Sequence, residues 1–277
     1  MKKEIEIIAE IGWNHLGDMD IAKRMIDAAA ESGADYAKFQ TWSVKRLKRG
    51  DWDTDGRREI YEKAELDEKR HAILKRHCKY AGIKFMSSVF SIEDAKLYSK
   101  YQSKYVKIPS FESRNDELLN FCGNTFDYIF ISTGTSTLSE ISVSINNLLS
   151  TNLIKLVLLH CVSAYPLDPR DANINRLRYL KSMSFDNNCI EVGYSDHMIG
   201  IESAKVAIEL GATVIEKHFT IDRSLPGRDN AFACLPDDIK NLKNYIILRK
   251  DMLSKNSIDF MDIEKGSREN YAGRFDG

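Results

Sequence analysis

Two lysines stand where a charge is hard to place. Lys38 and Lys107 lie within short apolar runs, Ala37-Lys38-Phe39 and Val106-Lys107-Ile108. An ammonium group buried there is costly unless a carboxylate or a bound anion meets it. One outcome is pairing with a nearby glutamate such as Glu112. Another is that both ammonium groups, with the hydroxyls of Ser88, Ser110, Ser132 and Ser195, cradle one small dianion, since such donors converging on a point suit phosphate or carboxylate. A third makes Lys107 the Schiff-base lysine of an aldolase. A second cluster is spaced in pairs: Ser195 with His197, and Glu216 with His218. Residues two apart share one face of a strand. Imidazoles on the ends of adjacent strands, with Glu10 and Asp229 in reach through water, make a divalent-metal site. The other histidines read differently. His71 and His77 fall on a helical stretch as surface or packing residues, and His160 falls in an apolar strand as a core histidine. The charged segment 222–229 is a lid over the site. Arg57 and Arg58, in a long polar loop, read as solvated.

These residues need a scaffold that brings them together. Strands are predicted at 5–11, 36–40, 84–88, 105–108, 128–132, 155–161, 190–194 and 214–219. Helices are predicted at 21–31, 67–80, 91–101, 116–121, 138–149, 174–181, 201–210 and 236–253. Eight strand–helix units imply a parallel sheet closed as an α/β (β/α)8 TIM barrel. No G-x-G-x-x-G turn follows the first strand, which counts against a doubly wound sheet. Barrel sites lie at the C-terminal strand ends, and the polar residues gather there. They run from Glu10, Asn14 and His15, through Lys38, Gln40, Ser88, Lys107, Ser110 and Ser132, to Ser163, Tyr165, Ser195, His197, Glu216 and His218. The barrel is assigned to residues 1–255, with a polar, linker-like tail at 256–277.

Bulk properties narrow the partners. The 277 residues are 43% hydrophobic and 29% charged, with a net charge of −1, so no global field recruits nucleic acid or an acidic membrane. The five cysteines are scattered, without a C-x-x-C pair. That is neither a zinc nor a redox framework, and it suits a reducing, cytoplasmic setting. Residues 1–4 run into a strand without a signal-type apolar core. The longest apolar stretch, near 154–159, is too short to span a bilayer. The expected partners are small-molecule substrates, with no nucleic acid and no membrane.

The ordered motifs resemble the sialic acid synthase family, N-acetylneuraminate synthase and its legionaminate and pseudaminate relatives. They are Ala9-Glu10-Ile11-Gly12-Trp13-Asn14-His15, Lys38-Phe39-Gln40-Thr41, Ile131-Ser132-Thr133-Gly134, His160-Cys161-Val162-Ser163-Ala164-Tyr165-Pro166, Gly193-Tyr194-Ser195-Asp196-His197, Glu216-Lys217-His218-Phe219-Thr220 and Pro226-Gly227-Arg228-Asp229. The resemblance implies condensation of phosphoenolpyruvate with an open-chain aldose such as N-acetylmannosamine, to give a 2-keto-3-deoxy sugar acid and phosphate. Lys38, Ser88, Lys107, Ser110, Ser132 and Ser195 then hold phosphoenolpyruvate. His197 and His218 bind a divalent metal, manganese or magnesium, and Ser163 and Tyr165 contact the sugar. Glu10 and Asp229 hold water or sugar hydroxyls and move a proton. Departures from the family pattern bear on the sugar: Val89, Phe111 in place of a frequent glycine, Arg228 in place of proline, and Asn230 in place of a histidine.

Most members continue into a small antifreeze-like domain that reaches across a homodimer and supplies an arginine to the sugar pocket. The tail here resembles the linker to it. A homodimer is therefore expected, with the sugar pocket open unless a separate domain or protein caps it. N-acetylmannosamine is then used poorly, and Arg228 is placed to compensate. Two other functions fit the same residues: a Schiff-base aldolase using Lys107, and a sugar-acid-binding barrel without turnover.

Overall fold

The computed structural model describes residues 4–183, 189–255 and 257–275. Eight parallel strands close into one barrel in chain order. They are β1 (Glu6–Gly12), β2 (Tyr36–Thr41), β3 (Lys84–Val89), β4 (Tyr105–Ile108), β5 (Tyr128–Ser132), β6 (Lys155–Cys161), β7 (Ile190–Asp196) and β8 (Val214–His218). The helices are α1 (Met19–Glu31), α2 (Arg57–Ala64), α3 (Glu68–Ala81), α4 (Ile92–Ser99), α5 (Asp116–Thr125), α6 (Leu138–Leu149), α7 (Arg176–Met183), α8 (Glu202–Glu209), α9 (Pro236–Met252) and α10 (Lys265–Tyr271). The expected (β/α)8 architecture is thus present, with α2 and α10 added to the predicted set. The first three residues of the N-terminus, and residues 256, 276 and 277 of the predicted tail, lie outside the described residues.

The strands are apolar on both faces because helices cover the outside and side chains fill the inside. Ile8, Tyr36, Met86, Phe130, Val157, Leu159 and Val214 form one buried cluster that floors the barrel. Tyr36 meets Tyr105 and Phe130 edge-on at 5.3 and 5.7 Å. Each such side chain contributes about 1.5–3 kcal/mol on burial. Gly193 keeps β7 close to its neighbours, since a Cβ there would lie 2.5 Å from the Val214 carbonyl and 2.6 Å from Leu159.

Local chemistry sets the helix limits. The Asp18 carboxylate accepts from the amides of Asp20 and Ile21 and starts α1. Asp67 accepts from the Arg70 amide to start α3, and Gly82, at φ 74°, ends it in the left-handed region. The chain divides into two compact units, Met1–Lys243 and Asn244–Gly277, so the expected boundary at 255 falls inside the second. The described side chains at 250–275 are exposed, and Arg268 lies over the Phe260 ring at 4.6 Å. Among the described residues no helix is long and apolar enough to cross a membrane.

One buried histidine makes stability sensitive to acid. His15 is fully buried, and its Nδ1 accepts from the Gly17 amide at 3.1 Å. Burial, helped by Arg70, lowers its pKa from 6.5 to about 4. Below pH 6.5 the unfolded chain therefore takes up a proton that the native state refuses. Stability falls with pH across this window, by about 3 kcal/mol in all once pH reaches 4. Between pH 6.5 and 5 the wild type should lose about 2 kcal/mol more than His15→Asn in urea unfolding. Equal losses in the two proteins would assign the acid sensitivity elsewhere.

Candidate active site

Strand register builds the site. Glu10 on β1 lies opposite Lys38 on β2 and opposite His218 on β8. Ser88 on β3 lies opposite Lys107 on β4, and Ser195 on β7 opposite both Cys161 and Glu216. Alternate residues face inward, so these side chains form a polar tier above the apolar floor. The tier opens at the C-terminal strand ends into a cavity of about 310 Å³.

Lys38 meets Glu10 on the neighbouring strand β1, and both lysines meet Glu216 on β8, far from them in sequence. Lys38 Nζ is 2.7 Å from Glu10 Oε2 and 3.5 Å from Glu216 Oε2, and it donates to Ser88 Oγ at 2.9 Å. Lys107 Nζ lies 3.2 Å from Glu216 Oε1, which also accepts from Ser195 Oγ at 2.8 Å. The expected partner Glu112 plays no part in this: its carboxylate accepts from Asn115 Nδ2 at 2.9 Å, in the turn that leads to α5. Burial would raise the Glu216 pKa, but Lys107, Lys38 and the Ser195 bond outweigh it and hold the carboxyl at about 2. At Glu10 burial prevails over Lys38, and the pKa is raised. Burial lowers the pKa of Lys107, whereas Glu10 and Glu216 overcome burial at Lys38 and raise it. The tier therefore holds a charge-coupled quartet of two ammonium groups and two carboxylates.

The histidine pair sits at the mouth. The rings of His197 and His218 have centroids 5.4 Å apart, and Tyr165 packs on His197 at 4.1 Å. His197 Nδ1 donates to the Val162 carbonyl at 2.8 Å. That bond turns Nε2 away from the backbone, the arrangement a metal-binding imidazole uses, and the Cys161 thiol is the ring's other hydrogen-bond partner. Burial, then His197 and Lys38, push the His218 pKa well below its ordinary value, so this ring is neutral. Its Nδ1 is buried without a hydrogen-bond partner, 3.6 Å from Asp229 Oδ2. Burial and Glu10 raise Asp229 to about 6. Among the described residues no three or more His, Cys, Asp or Glu side chains form a metal cage. Burial lowers the His197 pKa, but Cys161 and the Val162 bond outweigh it and raise it, so this ring gives up its proton when an ion takes its place. Two imidazoles with carboxylates beside them fit an ion that leaves positions for substrate.

Eleven of the twelve site residues named from sequence border this cavity: Glu10, Lys38, Ser88, Lys107, Ser110, Ser132, Tyr165, Ser195, His197, His218 and Asp229. Ser163 does not. Its buried hydroxyl has no hydrogen-bond partner and lies beside Gly134, next to Ser110 Oγ. Of the lid segment, Arg228 and Asp229 reach the cavity, and Arg228 Nη2 donates to the Tyr165 carbonyl at 3.1 Å. Asn230 is an internal latch that donates to the Pro226 carbonyl at 2.9 Å and accepts from Thr220 Oγ1 at 2.6 Å. His160 is a core residue stacked on Tyr194, with Nε2 2.9 Å from the Ala172 carbonyl.

Glu216 and Gln40, placed at the rim by sequence without a role, border the cavity, as does Phe111; Cys161, Trp13, Tyr61 and Phe90 are further walls that sequence did not single out. Arg57 borders it as well, so it is not simply solvated, although it pairs with Asp55 at 2.6 Å. Arg58 pairs instead with Asp53 and Glu62. The spacing of Glu216 two residues before His218 was a usable signal. Arg57 and Tyr61 carry none, because the polar stretch that forms α2 has no apolar stripe.

Behind the site, Lys217 points away from Glu216 and His218. Its Nζ meets Asp196 Oδ2 at 2.9 Å and the Met198 carbonyl at 2.6 Å, fully enclosed. This buried pair ties the end of β8 to the end of β7, and so holds the two imidazoles in step.

The NeuB family model matches residues 25–257. The chain belongs to the NeuB family. It is 34% identical to the N,N'-diacetyllegionaminic acid synthase of Campylobacter jejuni, over 96% of this chain and 87% of that protein. It is 38% identical to the synthase of the same name from Legionella pneumophila, over 85% and 69%. The N-acetylneuraminic acid (sialic acid) synthetase of Leptospira borgpetersenii, solved with citrate, superposes with a TM-score of 0.82 at 30% identity, covering 98% of this chain and 93% of that one. This NeuB-family chain is an enzyme of the sialic-acid-synthase type. The reading as a barrel without turnover is set aside.

Proposed function

We propose that the cavity condenses phosphoenolpyruvate with an open-chain aldose, giving a 2-keto-3-deoxy sugar acid of the nonulosonate kind and inorganic phosphate. The buried tier of Lys38, Lys107 and four serine hydroxyls carries this reading, because it offers two cations and several donors to one small anion. In the reaction, the C3–C2 π electrons of phosphoenolpyruvate form the new bond to the aldehyde carbon, and the aldehyde oxygen takes a proton. Water adds at C2, and phosphate leaves with cleavage of the C2–O bond. Lys38 and Lys107 orient the donor, and Ser88, Ser110, Ser132 and Ser195 complete its cradle. Asp229, with its raised pKa, and Glu10 hold and move protons near the acceptor. Tyr165 borders the sugar side of the cavity.

His197 and His218 are the residues to hold a divalent ion, manganese or magnesium. Such an ion supplies Lewis-acid polarisation of the acceptor carbonyl. The reading includes a homodimer and a cytoplasmic setting, on the strength of the family alone. N-acetylmannosamine is one acceptor to try, and nothing in the cavity walls selects it over precursors of legionaminic or pseudaminic acid.

The Schiff-base alternative has one observation in its favour, the lowered pKa of Lys107, which a nucleophilic amine requires. Against it, that amine is engaged by Glu216. The test is phosphate release from phosphoenolpyruvate with manganese, with and without a panel of aldoses. Release should depend on an aldose and match 2-keto acid formed. Phosphate release unchanged by every aldose would sink the proposal.

A further inference from the structure

Beside the main cavity lies a second space of about 130 Å³, walled by Trp13, Gln40, Trp42, Leu47, Tyr61 and Phe90. Four of these, Trp13, Gln40, Tyr61 and Phe90, also border the main cavity, so the two spaces share a wall. No charged side chain lines the smaller one. Its rings hold one another edge-on, with Trp13 against Tyr61 at 5.3 Å, Trp42 against Tyr61 at 5.9 Å and Trp42 against Phe90 at 6.3 Å. Trp13 and Trp42 are buried, and they pack with Val44 and Ala64 into a cluster separate from the barrel floor.

Protein interiors fill their own volume. An aromatic cluster that only stabilised the loop would close over this space; here rigid rings keep it open at the edge of a substrate cavity. Pockets of that kind, apolar walls with few polar groups, are what small-molecule substituents occupy. The donor anion has no partner there, since its cations lie in the tier below. At the junction stands Gln40, whose Nε2 is given to Glu10 Oε1 at 2.7 Å, so the polar boundary ends at the threshold.

We propose that this annex receives an apolar group carried by the acceptor, a methyl or a short acyl chain, and thereby selects among aldoses. The proposal rests on the condensing reading of the main cavity. Leu47 is the wall to alter, because it lines the annex without bordering the main cavity and is 36% exposed at the end of a short turn. Leu47→Trp shrinks the space and Leu47→Ala enlarges it.

The experiment compares kcat/KM for mannose with its 2-acetamido, 4-acetamido, 2-butanoylamido and 6-deoxy derivatives, using phosphate release with manganese. At least one derivative should exceed mannose by about tenfold or more, the margin one or two buried carbons provide. In Leu47→Trp that ratio should fall at least fivefold, and Leu47→Ala should move preference toward the butanoyl compound. The same ratio in Leu47→Trp as in the wild type, or mannose preferred to every derivative, overturns the proposal. If no aldose supports phosphate release, the condensing reading fails by itself. Calorimetry of the same sugars then reads the annex: a derivative that binds tighter than mannose and loses that margin in Leu47→Trp supports it, and unchanged margins overturn it.

Discussion

Lys107→Met is expected to lower kcat/KM for phosphoenolpyruvate about a thousandfold while the barrel stays folded. The ammonium group is buried, 3.2 Å from Glu216. A charge-assisted contact to a bound dianion in that setting is worth about 4 kcal/mol when one partner is truncated, and each 1.4 kcal/mol is tenfold. The fold should tolerate the change for two reasons. Glu216 keeps Lys38 at 3.5 Å and Ser195 at 2.8 Å, and methionine removes a charge whose burial is itself unfavourable. The companion measurement is borohydride treatment of the wild type with substrate. No reduced adduct should form. A trapped adduct on Lys107 would transfer the reading to the aldolase, and a Met variant with unchanged kcat/KM would remove the lysine from the donor site.

Chelation is expected to abolish turnover, and manganese to restore it in the wild type but not in His218→Ala. The two imidazoles are the only histidine side chains among the described walls of this cavity. Loss of one should weaken metal binding more than a hundredfold, since changes in the groups that merely support ligands already cost ten- to a hundredfold. A manganese titration of the metal-free protein reads this directly, independent of catalysis. Full activity in chelator would sink the metal assignment and leave the anion cradle standing.

The barrel was legible because its strands are short apolar runs between amphipathic helices, and because polar residues recur at their C-terminal ends. Spacing of two put Ser195 with His197, and Glu216 with His218, on one face, and parallel register then brought them to one mouth. What sequence could not reveal was partnership across the barrel. An apolar run shows that Lys38 and Lys107 need a carboxylate or an anion, yet Lys38 finds Glu10 on the neighbouring β1, and Lys107 finds Glu216 on β8, opposite it in the barrel. Glu112, near in sequence, was the wrong guess because local proximity says little in a closed sheet. The helix α2 was hidden for another reason. It follows Gly56 at φ 90°, has a mostly polar sequence, and buries only Ala64, so no apolar stripe announced it. Tyr61 and Arg57 went unassigned with it.

The two kinds of wall around this cavity differ in how freely they can change. Its lower part is made of strand residues whose neighbours pack on every side, so a substitution there is felt by the barrel itself. Part of its upper side, and the wall of the annex, comes from a segment between β2 and α3, where Trp42, Leu47, Arg57 and Tyr61 stand on turns and a short surface helix. Residues 42–66 therefore form an exchangeable cassette. Transplanting the equivalent segment from a relative should carry acceptor preference with it, and leave the donor chemistry to a scaffold that has no need to adapt.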